Sequence, residues 1–163
     1  MANIIPQLPY LRRFARSLTE NQANADDLVQ CTAEKALKMD KAFLGKGSYR
    51  AWLFTILYRT FLDQQMRFQR LNETSLEMVT DISAPETMVE RAELRQVTIL
   101  LQKLPEEQRA TLTLVAVEGF SYEEVGKMMN VPIGTVMSRL YRARLKLKNL
   151  MGEKKLTRLE IVT

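Results

Sequence analysis

A break between two short helices near the carboxyl end constrains this chain more than any other feature. Ser121 and Glu124 have the spacing of a capping box, which predicts a helix beginning directly after Ser121. Asn130 can take the left-handed conformation that ends a helix, and Pro132 pushes Val131 out of the helical region. Helical spacing then resumes. The sequence therefore predicts two helices joined by a tight turn.

The second of these helices has one apolar and one polar side. Val136 and Leu140 lie four residues apart and predict an apolar stripe, and the opposite side is predicted to carry Thr135, Ser138, Arg139 and Arg142. Residues 139–148 contain five basic residues and no acidic one. This pattern is typical of a helix-turn-helix whose second helix enters the major groove of DNA. The alternative is an ordinary helical hairpin with a solvated basic face.

The composition argues against an enzyme. The chain of 163 residues has no histidine, so it lacks the usual general base and the commonest zinc ligand. Its one cysteine, Cys31, cannot form an intrachain disulfide or a metal cage, and we expect a buried structural thiol rather than a redox sensor. We find no glycine-rich phosphate loop and no nucleophile elbow. We expect no catalysis, no cofactor and no metal.

Two further absences bear on location. No apolar run approaches the roughly 18 residues that span a membrane. The first residues also lack the basic and apolar regions of a secretory signal. We expect a cytoplasmic protein without membrane insertion.

The charges are unevenly distributed along the chain. The net charge is +5, with eleven basic and six acidic residues in 1–70 but three basic and six acidic in 71–104. Residues 105–150 are basic again, with seven against five. Two basic segments flank an acidic one, which predicts a protein that touches nucleic acid at two places through a connector that avoids the phosphates.

Helical spacing extends over most of the chain and predicts an all-α fold of two small domains joined by a flexible linker. We expect helices over about residues 9–18, 25–39, 48–69, 88–104 and 106–118, before the helix-turn-helix. The predicted domains are residues 1–70 and 88–151, with a linker at 71–87 and a tail at 152–163. The second helix should bury Leu28, Val29, Thr32, Ala36 and Leu37. The third, capped by Ser48, should bury Trp52, Leu53, Ile56, Leu57 and Phe61.

Three collinear segments carry a family resemblance. Residues 25–30 (Ala-Asp-Asp-Leu-Val-Gln), with 35–37 after them, resemble the helix by which sigma factors grip bacterial RNA polymerase. Residues 49–56 and 61–63 resemble the helix that meets the −10 promoter element. Residues 104–109 (Leu-Pro-Glu-Glu-Gln-Arg) and the helix-turn-helix resemble the domain that binds the −35 element. Over residues 8–150 the chain resembles an extracytoplasmic-function sigma factor, and residues 9–18 resemble the alphaproteobacterial general-stress-response branch.

The resemblance implies three sets of contact residues. The expected polymerase-binding residues are Asp26, Asp27, Leu28, Val29 and Gln30. The expected −10 contacts are Phe43, Lys46, Ser48, Arg50, Tyr58, Arg59 and Asp63. The expected −35 contacts are Thr135, Met137, Ser138, Arg139 and Arg142, although the family commonly has a basic residue where this chain has Met137. The first set offers a small apolar patch within a polar ring, as a docking face needs.

Capture of a promoter base sets further requirements on the −10 segment. Gly45 and Gly47 give the loop a flexible backbone, and Phe43 can receive an unstacked base. Lys46, Arg50, Arg59 and Arg67 supply cations for phosphates. We expect Tyr58 on the exposed side of the third helix and Trp52 in the core.

The resemblance implies a factor that binds core RNA polymerase, recognises two promoter elements and performs no chemistry. It also implies an anti-sigma factor as regulator, because the chain carries no receiver or sensing domain. One alternative is a sigma-like decoy that sequesters an anti-sigma factor. Another is a free-standing helix-turn-helix repressor, which leaves residues 25–63 unexplained.

Overall fold

The computed structural model describes residues 3–39, 43, 45, 47–74 and 92–152, and the regular structure in those ranges is helical throughout. One 3-10 turn, Ile5–Gln7, precedes α1 (Leu8–Leu18), α2 (Gln22–Lys38) and α3 (Tyr49–Thr74). They are followed by α4 (Ala92–Gln102), α5 (Glu106–Leu112), α6 (Tyr122–Met129) and α7 (Ile133–Met151). The chain divides into two compact units, Met1–Glu86 and Thr87–Thr163. The predicted all-α class is confirmed.

The first unit is a bundle of α1, α2 and α3. Each helix contributes apolar side chains at helical spacing, and the largest that are fully buried include Leu11, Phe14, Leu28, Leu53 and Leu57. The rings of Phe14 and Phe54 stack with their centroids 5.5 Å apart and so join α1 to α3. Full burial of a side chain of this size contributes about 1.5–3 kcal/mol, so this core holds the bundle together.

Helix α2 begins three residues earlier than predicted. The Asn21 side chain accepts a hydrogen bond from the Asn24 amide at 2.8 Å and caps the helix at Gln22, so residues 22–24 belong to the helix. The predicted burial of Leu28, Val29, Thr32 and Ala36 is confirmed. The predicted burial of Leu37 is wrong. This side chain lies at the last turn of α2 and is 66% exposed.

Helix α3 is longer than predicted. The Ser48 hydroxyl oxygen accepts from the Ala51 amide at 3.3 Å, which confirms the cap. The helix continues to Thr74, past the expected end near residue 69 and into the first residues of the predicted linker. The remaining linker residues, 75–87, and the tail from residue 153 lie outside the described residues.

The second unit is built mainly from α5, α6 and α7. Its buried centre includes Ala110, Leu114, Val125, Val136 and Leu140. The helix predicted over residues 106–118 widens into a π-helical turn at Thr113–Val117, where the Glu118 amide donates to the Thr113 carbonyl at 3.0 Å. The helical segment ends near residue 118 as predicted, and Gly119 follows it at φ +75°.

Helix α4 and the start of α5 are joined by a buried arginine. Arg109 of α5 donates from Nη1 to the carbonyls of Gln102 and Leu104, each at 3.3 Å. These carbonyls lie at or just beyond the end of α4, where a helix leaves acceptors unpaired. The arginine of the Leu-Pro-Glu-Glu-Gln-Arg segment therefore has a structural role. Within the described ranges, no helix has the length and apolar character needed to cross a bilayer.

Candidate nucleic-acid and docking surfaces

The turn between α6 and α7 has the geometry expected of a helix-turn-helix. Both hydrogen bonds of the capping box are present, from the Glu124 amide to Ser121 Oγ at 3.2 Å and from the Ser121 amide to Glu124 Oε2 at 2.8 Å. Asn130 takes the left-handed conformation at φ 54°, and α7 begins directly after Pro132. The local signals in the sequence thus place both helices correctly.

A close backbone approach at Gly126 fixes this turn. The Val131 amide donates to the Gly126 carbonyl at 2.9 Å. A Cβ atom added at Gly126 would lie 3.0 Å from the Val131 carbonyl oxygen, which is tighter than most real contacts. Glycine therefore lets the chain fold back closely against α6. The sequence contains the glycine, but only the structure shows what it approaches.

Helix α7 presents three of the predicted −35 contacts to solvent, namely Met137, Ser138 and Arg142. Val136 and Leu140 are buried as predicted, and Ser138 and Arg142 are exposed on the opposite side. The Ser138 hydroxyl donates to the Thr135 carbonyl at 3.0 Å, one turn earlier. Thr135 is half-buried at the edge of this surface. Met137 lies on the other edge and is 49% exposed.

The predicted placement of Arg139 on the solvent side is wrong. Its guanidinium pairs with the carboxylate of Glu107 on α5, with Nη2 and Oε2 2.9 Å apart. The Arg139 side chain is only 16% exposed, whereas that of Glu107 is 63% exposed. The pair links α5 to α7. Sequence spacing does not reveal it, because its members lie 32 residues apart and on different helices.

The predicted docking face on α2 is polar. Asp26, Asp27 and Gln30 are exposed, and at 100° per residue they share one side of the helix. Leu28 and Val29 are 0% and 5% exposed, so the expected apolar patch between them is wrong. Both side chains are needed for the core. Because α2 begins at Gln22, the two acids lie in its second turn rather than at its first residues.

Three aromatic rings meet where α3 begins. Phe43 lies 5.2 Å from the Tyr49 ring and 5.3 Å from the Trp52 ring, and Tyr49 and Trp52 stack at 5.5 Å. All three side chains are half-buried, so the expectation that Trp52 belongs to the core is wrong. Tyr49 was not predicted as a site residue. The three-residue spacing of Tyr49 and Trp52 on one helix face is the signal that could have identified it.

Two predicted −10 contacts are engaged within the first unit. The Arg50 guanidinium lies 5.2 Å from the ring centroids of both Tyr10 and Phe54, in cation–π geometry that links α3 to α1. Asp63 Oδ2 lies 3.6 Å from Lys35 Nζ, which also donates to the Thr60 hydroxyl at 3.1 Å. The charged groups of Arg50 and Asp63 therefore both make contacts that join helices of the first unit.

The remaining predicted −10 residues divide by exposure. Arg59 and Ser48 are exposed, and so is Arg67 further along α3. The predicted exposure of Tyr58 is wrong. It is 4% exposed and its ring lies 6.5 Å from that of Phe61, because α3 packs against both α1 and α2 and buries a wide face. Lys46 lies outside the described residues.

Cys31 is half-buried, so the prediction of a buried thiol is wrong. Among the described residues, no group of three or more acidic or cysteine side chains is arranged to hold a metal ion.

Comparisons with known proteins agree on both units. The family model described as the Sigma2 domain of PhyR matches residues 4–58, and the model described as Sigma-70, region 4 matches residues 94–147. The ECF RNA polymerase sigma factor EcfG of Rhodopseudomonas palustris (strain TIE-1) is 36% identical over 150 residues, which cover 91% of this chain and 83% of the relative. The ECF RNA polymerase sigma-E factor of Escherichia coli (strain K12) is 34% identical over 131 residues, which cover 72% of this chain and 69% of that relative.

Solved structures give the same result. The sigma factor RpoE in complex with the anti-sigma factor NepR from Bartonella quintana matches with a TM-score of 0.83 and 32% identity, covering 93% of this chain and 96% of that one. CnrH in complex with the cytosolic domain of CnrY matches with a TM-score of 0.66 and 27% identity, covering 91% of this chain and 84% of that one.

Proposed function

This chain belongs to the extracytoplasmic-function (ECF) RNA polymerase sigma factors, and on that premise we propose that it joins core RNA polymerase and directs it to promoters with −35 and −10 elements. The observation that carries the proposal is the helix-turn-helix of the second unit. Its α7 keeps Ser138 and Arg142 in solvent while Val136 and Leu140 fix the helix against the core. In this role the protein binds and positions, in the cytoplasm, and supplies no catalytic group.

In the proposal, α7 enters the major groove of the −35 element. The exposed guanidinium of Arg142 can donate two hydrogen bonds to a guanine, the commonest specific contact between protein and DNA. Ser138, Met137 and Thr135 lie four, five and seven residues before it, all within two turns of the helix. Arg139 acts indirectly, because its pairing with Glu107 holds α5 against α7.

The aromatic cluster of Phe43, Tyr49 and Trp52 is our proposed receiving surface for a −10 base. Melting requires a base to leave the stack, and aromatic side chains compensate for the lost stacking by about 1–3 kcal/mol per base. Arg59 and Lys46 are the proposed phosphate contacts, and Ser48 positions the start of α3 through its cap. Tyr58 has no part in this proposal because it is buried.

Polymerase docks, in the proposal, on the polar face of α2. Asp26, Asp27 and Gln30 offer two carboxylates and an amide on one side of the helix. A charged face of this kind favours association through electrostatic complementarity rather than apolar burial. Leu28 and Val29 support the face from the core without touching the partner.

We also propose regulation by an anti-sigma factor. RpoE and CnrH, two of the solved relatives, were determined with the anti-sigma factor NepR and with the cytosolic domain of CnrY respectively. Such a partner would compete with polymerase or DNA for the exposed surfaces described above.

A decoy is the second candidate, because the model that matches residues 4–58 is named for PhyR, which solved structures describe as an anti-anti-sigma factor. A decoy binds an anti-sigma factor and does not need a surface for DNA. The exposed Ser138 and Arg142 on α7 therefore favour the promoter-binding proposal.

Transcription in vitro tests the proposal. Purified core polymerase is combined with this protein on candidate promoters, with core polymerase alone as the control. We expect initiation at a defined start site only when both are present. Anti-sigma binding without initiation would support the decoy, and tight duplex binding without polymerase would support a repressor.

A further inference from the structure

Helix α7 carries an exposed apolar ridge that its core does not use. Ile133, Met137 and Tyr141 are spaced four residues apart and are 44%, 49% and 68% exposed. The apolar stripe that packs against the rest of the unit is a separate set, which includes Val136 and Leu140. The ridge therefore needs an explanation other than stability, and it adjoins Ser138 and Arg142 on the surface proposed to face DNA.

The chemistry of the major groove identifies an occupant for such a ridge. Base edges there present nitrogen and oxygen donors and acceptors, and thymine adds one apolar group, its 5-methyl. An unbranched thioether side chain adapts its shape and is polarisable, so it makes good contact with a small apolar group. A basic side chain at the same position would instead favour a phosphate or a guanine.

Met137 is the member of the ridge best placed for this contact. Ile133 is the first residue of α7, directly after Pro132, and Tyr141 carries a hydroxyl that can bond a phosphate. Met137 lies in the second turn, in the part of a recognition helix that contacts base edges. It adjoins Ser138 on one side of the helix.

We propose that Met137 is a specificity-determining residue that reads the 5-methyl group of a thymine in the −35 element. The inference rests on the proposed promoter-binding function. It predicts that this protein distinguishes thymine from uracil at one position, where all hydrogen-bonding groups of the base are unchanged.

The test measures binding of the holoenzyme, formed from the full chain and core polymerase, to a promoter on which it initiates. Each thymine of the −35 element, on either strand, is replaced in turn by deoxyuridine. We expect one replacement to weaken binding about fourfold, which is about 0.8 kcal/mol at 1.4 kcal/mol per tenfold change and matches one buried methyl-sized group. Met137→Ala should bind the thymine duplex about as weakly as the wild type binds the deoxyuridine duplex. The variant should bind the deoxyuridine duplex no more weakly than it binds the thymine duplex.

Leu145→Ala is the matched control, since Leu145 is an exposed apolar residue of α7 two turns further on, at 46% exposure. It should keep the discrimination of the wild type. Met137→Ala should fold normally, with a melting temperature within about 2 °C of wild type, because surface substitutions cost little.

Two results would overturn the inference. The first is wild-type binding that no deoxyuridine replacement changes, and the second is discrimination that persists in Met137→Ala. If that variant also loses binding to an anti-sigma partner, the ridge is a protein-docking surface instead. If the holoenzyme does not initiate on any promoter, the proposed function fails as well. If it initiates normally but no deoxyuridine replacement changes binding, only the inference about Met137 fails.

Discussion

At the scale of single residues, the two arginines of α7 that looked equivalent in the sequence have different surroundings. Arg142 is exposed, whereas Arg139 is largely covered and paired with Glu107. Their spacing of three residues placed both on one side of the helix. The structure separates them because Arg139 lies near the edge of the buried face, within reach of α5.

Arg142→Ala should therefore weaken promoter binding more than Arg139→Ala. We expect the loss of a guanine contact to cost about 1–3 kcal/mol, roughly five- to 150-fold in affinity. Arg139→Ala removes an ion pair that is partly exposed, and such pairs contribute at most about 1 kcal/mol. Fluorescence anisotropy of the holoenzyme on a labelled promoter measures both. Equal losses in the two variants would contradict the separation.

Glu107→Gln tests the same pair from the other side. Without the carboxylate, the Arg139 guanidinium can reach a phosphate, so binding to duplex DNA should become more sensitive to salt. One added phosphate contact steepens the slope of log K against log salt by about 0.9. Glu123→Gln is the control, because it removes an exposed carboxylate of α6 without releasing Arg139. A slope that changes equally in both variants would mean that only net charge matters.

At the scale of helices, the sequence predicted the elements well where the signal was local. Ser121, Glu124, Asn130 and Pro132 act within a few residues of one another, and the helix-turn-helix follows from them. The burial of Tyr58 could not be predicted in this way. It depends on α3 having two packing partners, so that the buried face of the helix is wider than its single apolar stripe indicates.

A pair of glycine substitutions tests the turn. Alanine in place of a helical glycine usually stabilises by up to about 1 kcal/mol, and Gly134→Ala should do so because its added Cβ meets no atom within 4 Å. Gly126→Ala should instead destabilise by about 1–3 kcal/mol, as overpacking does. Its Cβ meets the Val131 carbonyl at 3.0 Å. Denaturant unfolding of the two variants measures the difference, and a stabilised Gly126→Ala would show that the turn relaxes freely.

At the scale of the whole molecule, the chain divides into two compact units. The family and the two-unit organisation could be recognised from collinear segments, each of which is local in sequence. The composition of the docking face could not be recognised from the sequence. Leu28 and Val29 looked like a surface patch beside Asp26 and Asp27, but both are buried in the core of the three-helix bundle, and a small domain depends on its few large buried side chains.

Asp27→Arg should reduce affinity for core polymerase by at least tenfold while leaving the fold intact. The charge reversal places a cation on a face that we propose to meet a complementary surface, and like charges at an interface cost several kcal/mol. Glu20→Arg is the matched control, since it reverses another exposed acid of the first unit outside that face. Competition against a labelled reference sigma factor for core polymerase measures both affinities. An unchanged affinity for Asp27→Arg would remove the docking assignment.

The π-helical turn at Thr113–Val117 has a consequence for where sequences descended from this one can lose a residue. There the Glu118 amide reaches back five residues instead of four, so the helix holds one residue more than its hydrogen-bond ladder requires. Losing one residue from that turn lets an ordinary α-helix form while the residues on either side stay where they are. The same loss inside α6 would rotate everything after it by about 100°. We expect single-residue gaps among descendants to accumulate at this turn and to be absent from α6.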